Sequence, residues 1–287
     1  MLIYVAGYGP GGSVNTRGKA ENMHLFMAAA VQGYGAIIEP QLVARAGISS
    51  RLLSYAEVNK KADTFAYWLN VPLSEKHLFV DSGAYSASRS GQAINLDDYI
   101  CWLDNNKQNI TQYAGLDVIG NWKATGDNLI TMEKAGLSPL PTFHYGSHQT
   151  ELARLCEKYN YIALGGMVGI HRQKILAWLD TCFGMIYKTG WPKKIHAFGL
   201  TAKWALERYP FYSADSTSAI MAGAFGTVIR YNAGNLKSQH YTKELSAKLK
   251  TGSQTPYIER MVQNAIALKR YETYITNLWN KRGIEWR

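Results

Sequence analysis

Cysteine is scarce in this 287-residue chain, and the three that occur, Cys101, Cys156 and Cys182, lie far apart. Because they form no Cys-x-x-Cys pair, the sequence predicts neither a disulfide framework nor a zinc knuckle. Long apolar runs are missing too, since no stretch approaches the roughly 18 residues that a membrane span needs. The start, MLIYVAGYGPGG, lacks the basic flank and long apolar core of a signal peptide. These absences predict a cytoplasmic protein without a membrane partner.

Acidic residues are scarce in the last third of the chain. Residues 188–287 contain 16 Lys or Arg against 6 Asp or Glu, whereas residues 1–187 contain 15 of each, so the net charge of +10 lies in the last third. This asymmetry favours a face for a polyanion such as nucleic acid, with an ordinary solvated basic surface as the alternative. The lysines predicted to meet phosphates are Lys193, Lys194, Lys203, Lys237, Lys243, Lys248 and Lys250.

Short apolar runs recur along the chain with helical patterns between most of them. Such runs are typical of parallel strands buried on both faces. There are eight: LIYVAG (2–7), HLFVDS (77–82), GLDVIG (115–120), PTFHYG (141–146), YIALGG (161–166), IHAFGL (195–200), FYSADS (211–216) and TVIRYN (227–232). Eight strands alternating with helices predict an α/β protein with a (β/α)8 TIM-like barrel, here one domain over residues 1–287.

Two segments complete the predicted barrel. The stretch ENMHLFMAAAVQ, between the first two runs, is predicted as an extra helix. Residues 233–287 are predicted as a basic loop followed by a C-terminal helix, from about Pro256, packed on the barrel. The packing face of that helix is predicted to carry Ile258, Met261, Val262, Ala265, Leu268, Ile275 and Leu278, opposite Arg260, Lys269 and Lys281.

Several of the predicted strands end in polar residues. Asp81, Asp117, His144 and Asp215 occupy such ends, and a pair of glycines, Gly165 and Gly166, occupies another. A single strand-end aspartate is commonly a helix cap or a turn former. Three of them converging on the C-terminal mouth of a barrel, where such folds build their active sites, favour catalysis.

Four motifs carry a family resemblance: VDSGAYS, LDVIG, IALGGMVG and FYSADSTS, in this order. Together, over roughly residues 75 to 232, they resemble the tRNA-guanine transglycosylase superfamily. The Asp-Ser-Thr-Ser form is similar to that of its phage-type, DNA-modifying, DpdA-like branch. The family's glutamine that reads the base is replaced near His144, and its CxCxxC zinc site is missing. These departures favour DNA over tRNA as the substrate.

The resemblance implies a role for each matching residue. Asp215 matches the nucleophile, Asp81 the general acid/base, Asp117 the aspartate that reads the base, and Tyr85 the aromatic residue that stacks on it. Further substrate contacts are expected from Ser82, Gly83, His144, Gly165, Gly166, Met167 and Phe198. Ser216 or the amides after it are expected to hold Asp215 ionised, and Asp81 is expected to be the more desolvated carboxyl group.

The implied reaction replaces guanine in DNA with a free 7-deazaguanine, such as 7-cyano-7-deazaguanine, through a covalent aspartyl-glycosyl intermediate. A carboxylate that traps an oxocarbenium-like centre and a second carboxyl group that moves the proton suit this chemistry. No cofactor and no metal are expected. The sequence leaves open an RNA-acting enzyme, the need for accessory modification proteins, and a homodimer.

Two other classes of function remain as alternatives. A metal-dependent barrel hydrolase would use His144, His171 and His196 with Asp215, although the chain has no HxH or HExxH motif. A non-catalytic nucleic-acid-binding barrel would keep the basic third and tolerate loss of Asp81 and Asp215.

The segment GYGPGGS is not followed by the Gly-Lys-Ser/Thr of a phosphate loop, so a plain loop is predicted there.

Overall fold

The structure is a computed structural model. It describes residues 22–28, 45–47, 49–59, 65–66, 69, 77–240 and 256–286. The run predicted at 2–7 and Lys243, Lys248 and Lys250 lie outside the described residues.

Within these described ranges, eight parallel strands form one sheet. They are β1 (His24–Ala28), β2 (Ser50–Ser54), β3 (His77–Asp81), β4 (Gln112–Tyr113), β5 (Thr142–His144), β6 (Tyr161–Gly165), β7 (Lys194–Ala197) and β8 (Ser213–Ser216). Their order in the sheet is β4-β3-β2-β1-β8-β7-β6-β5, so β1 pairs with both β2 and β8. A parallel bridge between Ala114 and Leu140 joins the two outer strands. This arrangement follows the chain around a ring and is that of a TIM-like (β/α)8 barrel.

Helices separate most of the strands. Their bounds are α1 (Tyr55–Val58), α2 (Ala84–Arg89), α3 (Leu96–Asn106), α4 (Trp122–Lys134), α5 (Gln149–Lys158), α6 (Arg172–Gly190), α7 (Lys203–Leu206), α8 (Ser218–Ala224) and α9 (Pro256–Lys281). Asparagine side chains cap two of them: Asn95 accepts a hydrogen bond from the amide of Asp98, and Asn121 accepts one from the amide of Ala124. Within the described residues, none of these helices combines the length and apolarity needed to cross a membrane.

Five of the predicted strands are confirmed, namely those at 77–82, 141–146, 161–166, 195–200 and 211–216. The strand predicted at 115–120 was placed too late, because β4 ends at Tyr113 and residues 115–120 form the loop after it. That loop carries Asp117.

Two predictions about the remaining strands were wrong. The run at 227–232 is β9 (Thr227–Asn232), which forms an antiparallel hairpin with β10 (Asn235–His240) outside the barrel. Only Val228 of this strand is buried, as expected of a strand that covers one face only. The segment predicted as an extra helix contains β1, where pairing with strands on both sides overrides the local helical pattern.

The barrel interior is filled by side chains from the inner face of the sheet. Every second residue of a strand points inward, and these residues form one cluster. Its buried members are Phe26, Leu52, Phe79, Ala114, Leu140 and Ala163, with Tyr161 and Phe198 packed against them. Larger apolar clusters fill the layer between the sheet and the helices.

The C-terminal helix α9 begins at Pro256 as predicted and is tied to the first barrel strand. Glu272 Oε2 accepts a hydrogen bond from the amide of Leu25 at 2.9 Å, and Thr276 Oγ1 accepts one from the amide of Met23 at 3.2 Å. Arg260 was predicted to lie opposite the packing face, and this prediction was wrong. Arg260 is buried, and its Nε donates to the carbonyl oxygen of Gly223 in α8 at 2.8 Å.

The contact between α8 and α9 depends on a residue without a side chain. A Cβ atom on Gly223 would lie 2.7 Å from Cγ and 2.8 Å from the backbone nitrogen of Met261. We therefore expect Gly223→Ala to destabilise the fold by about 2 kcal/mol in urea unfolding. The matched control is Gly126→Ala in α4, where nothing lies within 4 Å of the added atom. That variant should gain about 0.5 to 1 kcal/mol. Equal effects of the two substitutions would contradict this account of the packing.

Candidate active site

Four polar side chains predicted from the sequence meet at one mouth of the barrel. Asp81 and His144 are the last residues of β3 and β5, Asp117 lies in the loop after β4, and Asp215 is the third residue of β8. Because all eight strands are parallel, their C-terminal ends share one side of the molecule. Asp81 follows the interior residue Phe79 by two positions, so both belong to the inner face.

Asp215 is 7% exposed, and two donors address the same oxygen of its carboxylate. The backbone amide of Gly199 donates to Oδ1 at 2.9 Å, and His196 Nε2 lies 3.2 Å from Oδ1. Both donors come from β7 or the turn after it. Ser216 was expected to hold the carboxylate, but its hydroxyl makes no hydrogen bond to Asp215; instead its Oγ accepts from the amide of Ser218 at 2.9 Å.

His196 is a part of the site whose role the sequence did not reveal. Its ring is completely buried, with the ring centroids of Phe198 and Phe79 4.5 and 4.7 Å away. Burial lowers the pKa of His196, against the opposing effect of Asp215. Its second nitrogen, Nδ1, lies 2.6 Å from Ser213 Oγ. The pairing register of β7 and β8 puts His196 beside Ser213, and alternation within either strand alone does not reveal this register.

Asp81 is half-buried at the mouth. Its surroundings favour the protonated form of the carboxyl group, whereas the two donors at Asp215 favour the charged form. Desolvation raises the pKa of Asp81 to about 7, and the negative charges of Asp117 and Asp215 add to the increase. The amide of Gly83 donates to Asp81 Oδ2 at 3.0 Å, and this hydrogen bond lowers the pKa against that increase. Near neutral pH, this carboxyl group therefore exchanges a proton readily.

Ser82 and Gly83 shape the turn that holds Asp81. Gly83 has a φ of 78°, and a Cβ atom there would lie 2.4 Å from Ser54 Oγ and 2.6 Å from Ala56 Cβ. Ser82 is buried, and its Oγ lies 3.4 Å from the amide of Ala84 as an acceptor. Both residues therefore support the general acid/base candidate from below, and Ser82 offers little surface to a substrate.

Asp117 and His144 form a pair across the mouth. His144 Nε2 lies 3.0 Å from Asp117 Oδ2, and both side chains are largely buried. Burial alone would lower the pKa of His144, but the hydrogen bond and charge of Asp117, with a contribution from Asp81, raise it overall. The other oxygen, Asp117 Oδ1, is buried and accepts no hydrogen bond from the residues that the structure describes. A ligand that donates hydrogen bonds would satisfy it.

The two glycines at the end of β6 make room beside His144. A Cβ atom on Gly165 would lie 3.0 Å from Thr142 Cγ2, and one on Gly166 would lie 3.1 Å from the amide nitrogen of Tyr145. The amide of Tyr145 in turn donates to the carbonyl oxygen of Gly165 at 2.9 Å. The pair thus allows the ends of β5 and β6 to approach closely.

The other predicted substrate contacts divide into three environments. Tyr85, in the first turn of α2, is 45% exposed and available for stacking. Phe198 packs inside the barrel against Phe79 and His196. Met167 is 5% exposed within the apolar core, so the structure does not support it as a substrate contact.

Two of the predicted phosphate contacts are misplaced. Lys193 and Lys194 lie at the start of β7, at the opposite end of the barrel from Asp215. Lys193 is buried, and its Nζ donates to the carbonyl oxygen of Tyr159 at 3.1 Å. Lys194 Nζ lies over the ring of Tyr212, 4.8 Å from its centroid.

Lys203 and Lys237 are the other predicted phosphate contacts within the described residues, and their side chains differ in how freely they can reach a phosphate. Lys203 forms an ion pair with Glu207 and donates to the carbonyl oxygen of Gly234 at 3.1 Å. Lys237 is exposed on β10. The prediction of a phosphate contact therefore stands best for Lys237.

The histidines named for a metal site are engaged elsewhere or apart from one another. His171 Nδ1 accepts from the amide of Gln173 at 3.4 Å as the cap of α6. In the part of the chain that the structure describes, no three His, Cys, Asp or Glu side chains are grouped as a metal site requires. The geometry therefore gives no support to the metal-hydrolase alternative.

Comparisons with known proteins bear on the fold. No protein-family model matches the chain, and neither does any curated protein sequence. Among solved structures, the tryptophan synthase alpha chain from Legionella pneumophila subsp. pneumophila matches with a TM-score of 0.52 at 7% identity, over 88% of this chain and 92% of that chain. A structure from Aquifex aeolicus VF5 matches with a TM-score of 0.52 at 10% identity, over 88% of this chain and 93% of that chain. At such identities the likeness shows the barrel fold alone.

The raised pKa of Asp81 has a consequence for stability. A carboxyl group with an ordinary pKa of 3.8 and a folded pKa of about 7 binds its proton more tightly in the folded state. Its contribution to the free energy of unfolding therefore declines as pH rises from about 4 to about 7. Asp81→Asn should be more stable than the wild type by about 1 to 2 kcal/mol at pH 8, and by much less near pH 4. Urea unfolding at both pH values measures this.

The control is Asp127→Asn, which changes an exposed carboxylate on α4. It should alter stability little at either pH. A loss of stability in Asp81→Asn at pH 8 would contradict the desolvation of Asp81.

Proposed function

We propose that this protein is a base-exchange transglycosylase that replaces guanine in DNA with a 7-deazaguanine through a covalent intermediate on Asp215. The observation that carries the proposal is the contrast between two carboxyl groups at one mouth. Asp215 receives two hydrogen bonds on one oxygen, which stabilise a negative charge there. Asp81, with its pKa raised to about 7, is suited to give and take a proton.

The reaction proceeds in two displacements. A carboxylate oxygen of Asp215 attacks C1′ of the target nucleotide, the bond from C1′ to guanine N9 breaks, and Asp81 gives its proton to the departing base. The 7-deazaguanine then enters, its N9 attacks C1′, its proton passes to Asp81, and the ester to Asp215 breaks. Both carboxyl groups return to their starting states, and the configuration at C1′ is retained.

The pair of Asp117 and His144 is proposed to read the base. Guanine and its 7-deaza analogues share an edge with two donors, the N1–H and the 2-amino group, beside an acceptor, O6. Asp117 Oδ1 is a buried acceptor that has no partner among the described side chains and backbone groups, and it suits the donors of that edge. An edge common to the departing and incoming bases is what an exchange reaction requires of its recognition site.

Nucleic acid reaches this mouth with one nucleotide turned out of its stack. The bond to be broken is shielded inside a duplex, so the target must be flipped or already unpaired, at a cost of a few kcal/mol. Tyr85, exposed in the first turn of the helix that follows Asp81, is proposed to replace part of the lost stacking. The basic last third of the chain, with Lys237 exposed on the hairpin, supports a polyanionic substrate.

The first test measures base exchange directly. DNA and tRNA carrying labelled guanine are each incubated with the protein and free 7-cyano-7-deazaguanine, and released label is counted. We expect release from DNA, and a decrease of about 1000-fold or more in Asp215→Asn with DNA affinity retained. The exposed Asp104→Asn serves as the matched control and should exchange normally.

Incubation without an incoming base should accumulate a covalent adduct, visible as a shifted band on a denaturing gel and mapped to Asp215 by mass spectrometry. Release from tRNA alone would contradict DNA as the substrate. Binding of DNA without any exchange would instead favour a non-catalytic role.

The second test concerns base selection. Asp117→Ala removes the buried acceptor, so the KM for the incoming base should rise by about 10- to 100-fold. The dissociation constant for DNA, measured by fluorescence anisotropy, should change by less than about twofold, since Asp117 contacts the base and not the backbone. An equal weakening of both would show that Asp117 supports the fold.

A further inference from the structure

We propose that Tyr161, Ser213 and His196 are positioning residues that hold one oxygen of Asp215 and leave its other oxygen to attack. This inference rests on the proposed function and concerns residues that the reaction itself does not require to touch the substrate. They form a hydrogen-bonded series through the barrel interior, which we call the buried relay.

The buried relay is continuous from the start of β6 to the mouth. Tyr161 OH lies 2.6 Å from Ser213 Oγ, and Ser213 Oγ lies 2.6 Å from His196 Nδ1. His196 Nε2 then lies 3.2 Å from Asp215 Oδ1. Each contact crosses between strands, so it depends on the side-by-side order of β6, β7 and β8 in the sheet and not on sequence proximity.

The chemistry of the groups sets the direction of every hydrogen bond. The carboxylate of Asp215 only accepts, so His196 Nε2 must carry a hydrogen. In a neutral imidazole the other nitrogen then accepts, so the hydroxyl of Ser213 donates to Nδ1. The hydroxyl of Ser213 has one hydrogen, which it donates to His196. Its oxygen therefore accepts a hydrogen bond from the hydroxyl of Tyr161. The relay therefore admits one pattern, and it selects one tautomer of His196.

Burial keeps the imidazole neutral. His196 and Ser213 have no exposed surface, and the centroid of the Phe26 ring lies 6.1 Å from that of His196, in addition to the nearer Phe79 and Phe198. An imidazolium would have to leave water for this aromatic surrounding, and its Nδ1–H would displace the hydroxyl hydrogen of Ser213. The lowered pKa of His196 agrees with this reasoning.

The relay distinguishes the two oxygens of Asp215. His196 and the amide of Gly199 both address Oδ1, whereas no donor among the described residues addresses Oδ2. Oδ2 is therefore the oxygen that forms the bond to C1′. In the resulting ester Oδ1 becomes the carbonyl oxygen, which accepts from the same two donors, so the intermediate forms without rearrangement of its surroundings.

The experiment compares relay variants with matched controls. Ser213→Ala and Tyr161→Phe each remove one hydroxyl of the relay. Ser50→Ala removes the hydroxyl of another buried barrel serine, which lies 3.5 Å from His24. Tyr209→Phe removes a hydroxyl that bonds Asp180 outside the barrel. Unfolding of each variant is measured so that all comparisons are made on folded protein.

The first readout is independent of activity. Nitrogen-15 NMR of the histidine rings, with His196 assigned by its absence in His196→Gln, reports which nitrogen carries the hydrogen. We expect the Nε2–H tautomer in the wild type and in both controls, and a mixture of tautomers in Ser213→Ala. An Nδ1–H tautomer or an imidazolium in the wild type would overturn the proposal.

The second readout is the rate of adduct formation in a single turnover. Ser213→Ala should slow it by about 10- to 100-fold and Tyr161→Phe by about 3- to 10-fold, with the KM for the incoming base unchanged. His196→Gln should retain more activity than His196→Leu, because a glutamine amide can accept from Ser213 and donate to Asp215. Relay variants that match their controls would overturn the proposal. Absence of exchange in the wild type would refute the proposed function, while the NMR result would still decide the relay.

Discussion

The alternation of side chains around the parallel sheet of the barrel is the constraint on which the rest of this structure depends. Every second residue of each strand points into the barrel interior, and here Phe26, Phe79 and their neighbours pack together in that space. Charged groups can occupy the inner face only at its rim, which is where Asp81 and Asp215 lie. The apolar filling beneath them is also what makes their surroundings poorly solvated, so the position and the electrostatics of the site have one physical origin.

Asp81 and Asp215 are side chains of the same type, and they acquire different properties from their different surroundings. Asp215 receives donors from a neighbouring strand and from the turn after it, and both stabilise a negative charge. Asp81 also has backbone hydrogen bonds, from Gly83 and Ser82, which lower its pKa, but desolvation and the charges of Asp117 and Asp215 outweigh them and raise it. Two carboxyl groups of the same residue type can therefore differ in their ease of protonation because desolvation and neighbouring charges differ between them.

Local patterns in the sequence predicted the strands that carry Asp81, His144 and Asp215, because a short apolar run followed by a polar residue is a local signal. The first barrel strand was hidden in the helix-like segment ENMHLFMAAAVQ, where pairing on both sides decides the structure. The hairpin strand Thr227–Asn232 has a similar composition to a barrel strand, and its pairing partner is what distinguishes it. Burial of Arg260 and Lys193 likewise depends on contacts with carbonyl groups far along the chain. To predict that His196 is a partner of Asp215, one has to know the pairing register between β7 and β8. No single segment of the sequence contains that register.

Two glycines explain why a strand can end in Asp-Ser-Gly on one side of the barrel and in Asp-Ser-Thr on the other. Gly83 and Gly199 have φ angles of 78° and 66°, a conformation that other residues adopt only with strain. In each case the turn aims the glycine amide at a carboxylate: Gly83 at Asp81 two residues before it, and Gly199 at Asp215 on the adjacent strand. Asp81 thus carries its own turn donor in its motif, whereas Asp215 takes its turn donor from the end of β7. The residues after Asp215 are therefore released from that role, and Ser216 is free to accept from the amide of Ser218 at the start of α8.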